Sequence, residues 1–267
     1  MKNKNSAIKT GIIGCGNIGT ELALFLDINN EFKLNTICDA KQENINSLLS
    51  KLSHRPSSAD IKNSILKNDL IIESSNKEVV KKLLHNRHLD KPGKKLLVMS
   101  SGGLFENINS IKRIKNVEIF VPSGAISGLD AIKAVEGKIK YLQLTTIKPA
   151  SSLKSAPYVL KHKIHVKKIR KIIFNGNLKE AVMGFPQNIN VAASLFLASR
   201  FKPIRIRIIA DPNSRFNKHE VICKGKFGTI KTITKNIPSK NPKTSYLAIL
   251  SALSVLKNMN KNIKVGS

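Results

Sequence analysis

A glycine-rich turn near the N-terminus has the spacing G-x-G-x-x-G, with its glycines at Gly14, Gly16 and Gly19. In such a turn the first glycine permits a tight bend, the second lets the backbone approach a pyrophosphate, and the third lets helix and strand pack closely. Asp39 ends the next apolar run, where a carboxylate can accept hydrogen bonds from ribose hydroxyls. The pattern predicts dinucleotide binding.

His219 is the histidine whose context could support acid–base chemistry. It follows polar residues 211–218 and precedes an apolar run, so we expect it in a loop between strands, where catalytic groups often lie. An imidazole that titrates near neutrality can take a proton and return it. The pattern equally fits a solvated histidine, and it leaves open whether Asp211 orients the imidazole or only forms a turn. The remaining histidines lie in polar or lysine-rich segments and are expected at the surface: His54, His85, His88, His162 and His165.

Three further segments carry groups that could contact ligands. Lys148 could pair with a substrate carboxylate, although a chain with 46 lysines and arginines has many exposed ones. Asn188 and Asn190 stand just before a predicted helix, where one could cap the helix and the other could contact a cofactor amide. Ala125 lies in a small-residue loop that either brings backbone close to a ligand or only crosses between domains.

Strand-like and helix-like segments alternate through residues 1–122, which predicts a parallel sheet with crossover helices. The expected strands are Ile8–Ile13, Leu34–Cys38, Leu70–Ile72, Leu96–Met99 and Val117–Val121. Ligands of such sheets bind outside the carboxyl ends of the strands, so the turns that follow them should line the cofactor site. The predicted contacts here are Gly14, Gly16, Asn17, Ile18, Gly19, Asp39, Ser74 and Ser100.

The pattern changes after Pro122 to strands interspersed with a few helices. We expect strands at Ile139–Ile147, Val166–Phe174, Arg205–Ile209, Glu220–Lys224 and Gly228–Lys235. A final helix, Ser245–Met259, should pack on the first domain. The predicted fold class is therefore α/β: a Rossmann-type parallel-sheet domain of residues 1–122 plus 243–267, and a second α+β domain with a mixed sheet, residues 123–242.

Composition limits the alternatives. The formal net charge is +29, but the lysines are spread along the chain, tryptophan is absent and aromatic residues make up only 5%, which is poor material for stacking bases. We therefore expect a basic solvated surface and no specific nucleic-acid partner. The chain has no apolar run long enough to span a membrane. Its three cysteines lack paired spacing, so we expect a cytoplasmic protein with neither a disulfide framework nor a metal site.

Several segments, taken in order, resemble the L-aspartate dehydrogenases of the NAD-biosynthesis type over nearly the whole chain. The most specific are residues 121–132, 145–149 and 185–193, followed by Ala210-Asp-Pro212, Asn217-Lys-His-Glu220 and Asn241-Pro-Lys-Thr-Ser245. The resemblance implies NAD or NADP as cofactor and oxidation of L-aspartate to iminoaspartate, or oxaloacetate plus ammonia. It also implies His219 as the active-site histidine, Ala125 and Asn190 as cofactor contacts, and a homodimer.

Substrate contacts at Lys148 and Asn188, and transfer of iminoaspartate to a quinolinate synthase, are further expectations. Because Asp39 favours free ribose hydroxyls, we expect NAD as the cofactor, with NADP as an alternative. Two other classes of protein remain open. One is another two-domain Rossmann oxidoreductase, resembling homoserine dehydrogenase or dihydrodipicolinate reductase. The other is a non-catalytic basic protein that binds nucleotides or nucleic acid.

Overall fold

A computed structural model describes residues 7–166, 168–186, 189–239 and 244–263. Within these ranges the chain forms two compact units. The first ends at Pro122 and also includes Ala252–Lys261, and the second contains Ser123–Ser251. No helix in the described ranges combines the length and apolar character needed to cross a membrane.

The first unit is built around a six-stranded parallel sheet in the order β3-β2-β1-β4-β5-β6. Its strands are β1 Ile8–Ile13, β2 Phe32–Cys38, β3 Ser57–Ser58, β4 Leu70–Glu73, β5 Lys95–Val98 and β6 Glu118–Phe120. Its connecting helices are α1 Asn17–Asp27, α2 Gln42–Leu49, α3 Ile61–Lys67, α4 Lys77–Leu84, α5 Ser101–Glu106 and α6 Ile108–Ile111. The strand order reverses between β1 and β4, which is where a doubly wound sheet binds its ligand.

The second unit contains a five-stranded mixed sheet in the order β11-β10-β7-β9-β8. Its strands are β7 Ile139–Pro149, β8 Lys171–Asn177, β9 Arg205–Asp211, β10 Asn217–Gly225 and β11 Gly228–Asn236. A 3-10 helix spans Ala150–Leu153, and the α-helices are α7 Leu129–Ala134, α8 Pro157–Lys161, α9 Leu178–Gly184, α10 Asn190–Ser199 and α11 Tyr246–Met259. These two sheets confirm the predicted fold class.

Helix α11 belongs to both units. In the second unit, its first residue, Tyr246, donates its backbone N–H to Ile237 O, and Ser251 Oγ accepts the backbone N–H of Gly124 at 3.1 Å. Farther along, Ala252 and Leu256 are fully buried in the core of the first unit. The boundary therefore falls inside this helix, at Ala252, whereas the sequence suggested residue 243.

The strand expected at Val166–Phe174 begins later, at Lys171. Ile169 is 81% exposed, so the hydrophobic residues of the basic stretch do not form the buried face that the alternation suggested. Sheet pairing begins only where β8 meets β9, with a bulge between Ile172 and Phe174. Lys167, in the same stretch, lies outside the described residues.

Candidate functional site

The three glycines of the first turn serve different geometric needs. Gly14 has a φ of +105°, and a Cβ there would lie 2.7 Å from the carbonyl carbon of Ser74. A Cβ at Gly19 would lie 1.9 Å from the Gly14 carbonyl oxygen, so this glycine lets α1 pack against the end of β1. A Cβ at Gly16 would meet no atom within 4 Å. The backbone at Gly16 is therefore open to a ligand.

Helix α1 begins immediately after Gly16, at Asn17, and its first turn contains no acidic side chain. Asn17 and Ile18 are half-buried there. The N-terminal end of a helix carries partial positive charge and backbone N–H groups that lack partners within the helix. With the open backbone at Gly16, this end of the helix fits the pyrophosphate of a dinucleotide.

Asp39 lies beside this turn and helps to fix it. Its Oδ2 accepts the backbone N–H of Cys15 at 2.7 Å, and its Oδ1 accepts the Lys41 N–H at 2.9 Å and Asn44 Nδ2 at 3.1 Å. The residue is half-buried at the carboxyl end of β2. A carboxylate at this position fits the ribose hydroxyls of the adenosine half.

Ser74 and Ser100 follow β4 and β5, as the sequence predicted. Ser74 Oγ donates to Gly14 O at 2.8 Å, which links the turn after β4 to the glycine turn. Ser100 is buried, and its hydroxyl donates to Glu73 Oε1 at 2.9 Å. The sequence placed Glu73 in the turn after the strand Leu70–Ile72, without a role of its own, whereas in the structure it is the buried last residue of β4.

His219 lies within strand β10 rather than in the predicted loop. Side chains of β10 alternate between buried and half-buried, and His219 takes a buried position with 3% exposure. The polar residues before it suggested a loop because Asn217 is also polar, yet Asn217 is buried as the first residue of the strand. All six histidines of the chain are described, and His219 is the only one that is buried.

Strand β7 supplies the neighbours of His219. Thr146 pairs with His219 in the sheet, and its Oγ1 lies 3.0 Å from His219 Nδ1. The hydroxyl of Thr146 is thus the partner at Nδ1, while the Asp211 carboxylate accepts the backbone N–H of Asn213 at 2.9 Å. Lys148 is two residues beyond Thr146, on the same face of β7, and only 8% exposed.

Burial changes the acid–base properties of these two side chains. It lowers the pKa of His219 to about 3, and the nearby positive charge of Lys148 adds to this effect. It also lowers the pKa of Lys148 to about 8. Thr146 and Lys148 line a narrow cavity that is otherwise apolar. Its other lining residues are Leu144, Leu153, Ala181, Phe185, Ile189, Ala192, Ile206 and Ile208. The imidazole is therefore neutral at physiological pH, whereas the sequence suggested a histidine that titrates near neutrality.

The remaining predicted contacts are distributed along the second unit. Ala125 is buried, and its carbonyl accepts Asn236 Nδ2 at 2.8 Å. Asn190 is the first residue of α10 and is exposed, while Ile189 occupies the N-cap position. Asn188 lies outside the described residues. Over the described ranges, no group of three His, Cys, Asp or Glu side chains is arranged to hold a metal ion.

Comparisons with known proteins show the family to which this chain belongs. Residues 130–259 match the family model described as aspartate dehydrogenase, C-terminal. The chain is 37% identical to an L-aspartate dehydrogenase of Methanosarcina mazei, covering 97% of this chain and 100% of the relative. It is also 37% identical to the L-aspartate dehydrogenase of Methanococcus maripaludis, with the same coverage. The crystal structure of aspartate dehydrogenase from Thermotoga maritima superimposes with a TM-score of 0.74 at 26% identity, covering 97% and 99% of the two chains.

Proposed function

This chain belongs to the L-aspartate dehydrogenase family, and on that premise we propose that it oxidises L-aspartate to iminoaspartate, which water converts to oxaloacetate and ammonia. The cofactor is a nicotinamide dinucleotide, which when bound supplies a hydride acceptor for the hydrogen on the aspartate α-carbon. The observation that carries the proposal is the buried set Thr146, Lys148 and His219 on one face of the second sheet.

The first unit offers the residues that would hold the dinucleotide. Gly16 and the N-terminal end of α1 fit its pyrophosphate, and Asp39 fits the adenosine ribose. Ser74 and Ser100 follow the strands on the other side of the point where the strand order reverses, where the nicotinamide half would lie. We extend the proposed contacts to Ala125 and Asn190 because their motifs resemble the cofactor-binding segments of the family.

His219 would move the protons of the reaction. In the tautomer that donates Nδ1–H to Thr146 Oγ1, the Nε2 atom carries the lone pair that can accept a proton from the substrate ammonium or from the water that attacks the imine. In the ligand-free protein the low pKa keeps the imidazole neutral, and Lys148 contributes to that. Aspartate brings two carboxylates, whose negative charge opposes the effect of Lys148 and raises the basicity of His219.

Lys148 would bind one carboxylate of aspartate, and this role predicts a pH effect. Because its pKa is lowered to about 8, the ammonium loses its proton as the pH rises through that value. We expect kcat/KM for aspartate, which reports groups of the free enzyme, to fall above about pH 8. In Lys148→Arg this falling limb should disappear from the measurable range, while Lys154→Arg, at an exposed lysine, should keep it. An unchanged limb in Lys148→Arg would exclude Lys148 as its source.

Substrate choice tests the proposed activity directly. NADH formation should be followed with aspartate, homoserine, glutamate and other small amino acids offered separately. We expect aspartate to give the highest kcat/KM. Preference for homoserine, or no turnover with any amino acid, would favour one of the other classes considered from the sequence.

Cofactor choice depends on the charge of Asp39. A carboxylate there repels the 2′-phosphate of NADP, so we expect NAD to bind more tightly, although Lys41 can offset part of the repulsion. Asp39→Asn should narrow the ratio of the two dissociation constants, because it removes the charge yet keeps an oxygen that can accept the Cys15 N–H. Tighter binding of NADP than of NAD by the unaltered protein would contradict this assignment.

The cysteines and the family resemblance support a proposal for the compartment, the pathway and the oligomeric state. All three cysteines are free, which suits a reducing cytoplasm. The resemblance to the NAD-biosynthesis type supports a role in de novo NAD synthesis, as a homodimer that passes iminoaspartate to a quinolinate synthase. Sedimentation equilibrium would test the dimer. Ammonia release from aspartate that is unaffected by added quinolinate synthase would contradict the transfer.

A further inference from the structure

Glu73 is a buried carboxylate to which the proposed function assigns no role. It is the last residue of β4, its side chain is fully buried, and it lies between the turn that follows β4 and the turn that follows β5. In a doubly wound sheet these turns lie on the opposite side of the strand reversal from β2, whose end carries Asp39. Glu73 is therefore placed on the side of the nicotinamide half.

Four hydrogen bonds converge on this carboxylate. Ser75 donates its backbone N–H and its hydroxyl to Oε1, at 2.8 and 3.0 Å. Ser100 donates its hydroxyl to Oε1 at 2.9 Å and its backbone N–H to Oε2 at 3.0 Å. Both carboxylate oxygens therefore accept hydrogen bonds, three at Oε1 and one at Oε2. Burial raises the pKa of Glu73, and the hydrogen bonds from the two serines oppose that rise.

The Ser100 side chain makes these contacts instead of capping a helix. It stands at the N-cap of α5, where a serine usually accepts a backbone N–H of the helix, but its side chain makes no such cap and donates to Glu73 instead. One carboxylate thus fixes the backbone of both turns. Ser74, between Glu73 and Ser75, in turn donates to the Gly14 carbonyl.

We propose that Glu73 is a positioning residue that holds the turns after β4 and β5 in the arrangement that binds the nicotinamide half of the cofactor. The inference rests on the proposed function only in its use of a nicotinamide dinucleotide. It assigns Glu73 no contact with the substrate. A glutamine cannot replace it fully, because when its amide oxygen takes the place of Oε1 its NH2 faces the Ser100 backbone N–H, which is itself a donor.

Equilibrium binding of NADH and of ADP-ribose, which lacks the nicotinamide ring, tests the proposal without any turnover. In Glu73→Gln we expect NADH to bind at least about tenfold more weakly, the usual effect of leaving buried donors without a partner. ADP-ribose should bind within about twofold of its original strength, because its contacts lie at the glycine turn and Asp39. Glu78→Gln, the same change at an exposed glutamate of α4, should alter neither.

Equal weakening of both ligands, or no change in either, would overturn the proposal. If Glu73→Gln does not fold, Ser75→Ala removes one donor from the same carboxylate at a residue with no proposed cofactor contact, and the same selective loss of NADH binding is then required of it. These outcomes are separate from the substrate assignment. A protein that fails to oxidise aspartate but shows the selective loss would refute the proposed function and leave the role of Glu73 standing.

Discussion

Replacement of His219 by alanine is expected to lower aspartate-dependent NADH formation by about a hundred- to ten-thousandfold, the usual contribution of an acid–base group. Binding of NADH should change little. The residues proposed to hold the phosphates and the adenosine belong to the first unit, whereas His219 belongs to the second. His162→Ala, at an exposed histidine of the same unit, should leave both properties unchanged.

Steady-state rates and fluorescence titration with NADH would be measured on both variants, together with their thermal unfolding. The last measurement is needed because His219 is buried, so that its loss leaves a cavity and an unpartnered Thr146 hydroxyl. Retention of more than about a tenth of the original turnover would show that His219 does not move the protons, since that is below the usual effect. Loss of NADH binding in a folded variant would instead make the histidine structural.

Substitution by alanine is expected to have different effects at two glycines of the first turn, on cofactor binding at Gly16 and on stability at Gly19. Gly16→Ala should leave the melting temperature unchanged, because the added methyl group meets no atom within 4 Å. NADH binding should nevertheless fall at least about tenfold, since the methyl group occupies the side from which the pyrophosphate approaches. Gly19→Ala should lower the free energy of unfolding by about 1–3 kcal/mol, because its methyl group would collide with the Gly14 carbonyl oxygen.

Differential scanning fluorimetry and titration with NADH separate these outcomes. Normal cofactor binding by Gly16→Ala would mean that the dinucleotide does not approach this part of the backbone. A stable Gly19→Ala variant would mean that α1 can move away from β1 at little cost. Either result would require a different account of the turn.

The first unit could be predicted well from the sequence because its signals are local. The glycine turn is followed directly by its helix, and the buried parallel strands are continuous apolar runs such as Ile71 and Ile72. Helix α4 begins directly after Asn76, its N-cap. Helix α3 has a weaker signal, because its short segment shows little apolar periodicity, although Asp60 caps it.

The buried chemistry of the second unit was less predictable, because it depends on strand pairing. Thr146 and His219 are 73 residues apart in the chain and meet only when β7 and β10 align. Apart from the family resemblance of residues 145–149, nothing near Lys148 in sequence distinguishes it from the many exposed lysines. Its lowered pKa arises from burial among apolar residues. The resemblance to a family implied a role for His219, which stays a prediction, and it did not predict the strand position or the neutral imidazole.

The path of α11 has a consequence for how the protein is made. The core of the first unit includes Ala252 and Leu256. In sequence, these residues come long after Pro122, where the first segment of that unit ends. During translation these residues emerge on the order of ten seconds after Pro122. The nascent first unit must wait through that interval with part of its apolar surface uncovered. At this stage of synthesis, a chaperone that binds apolar segments would protect the uncovered surface from aggregation.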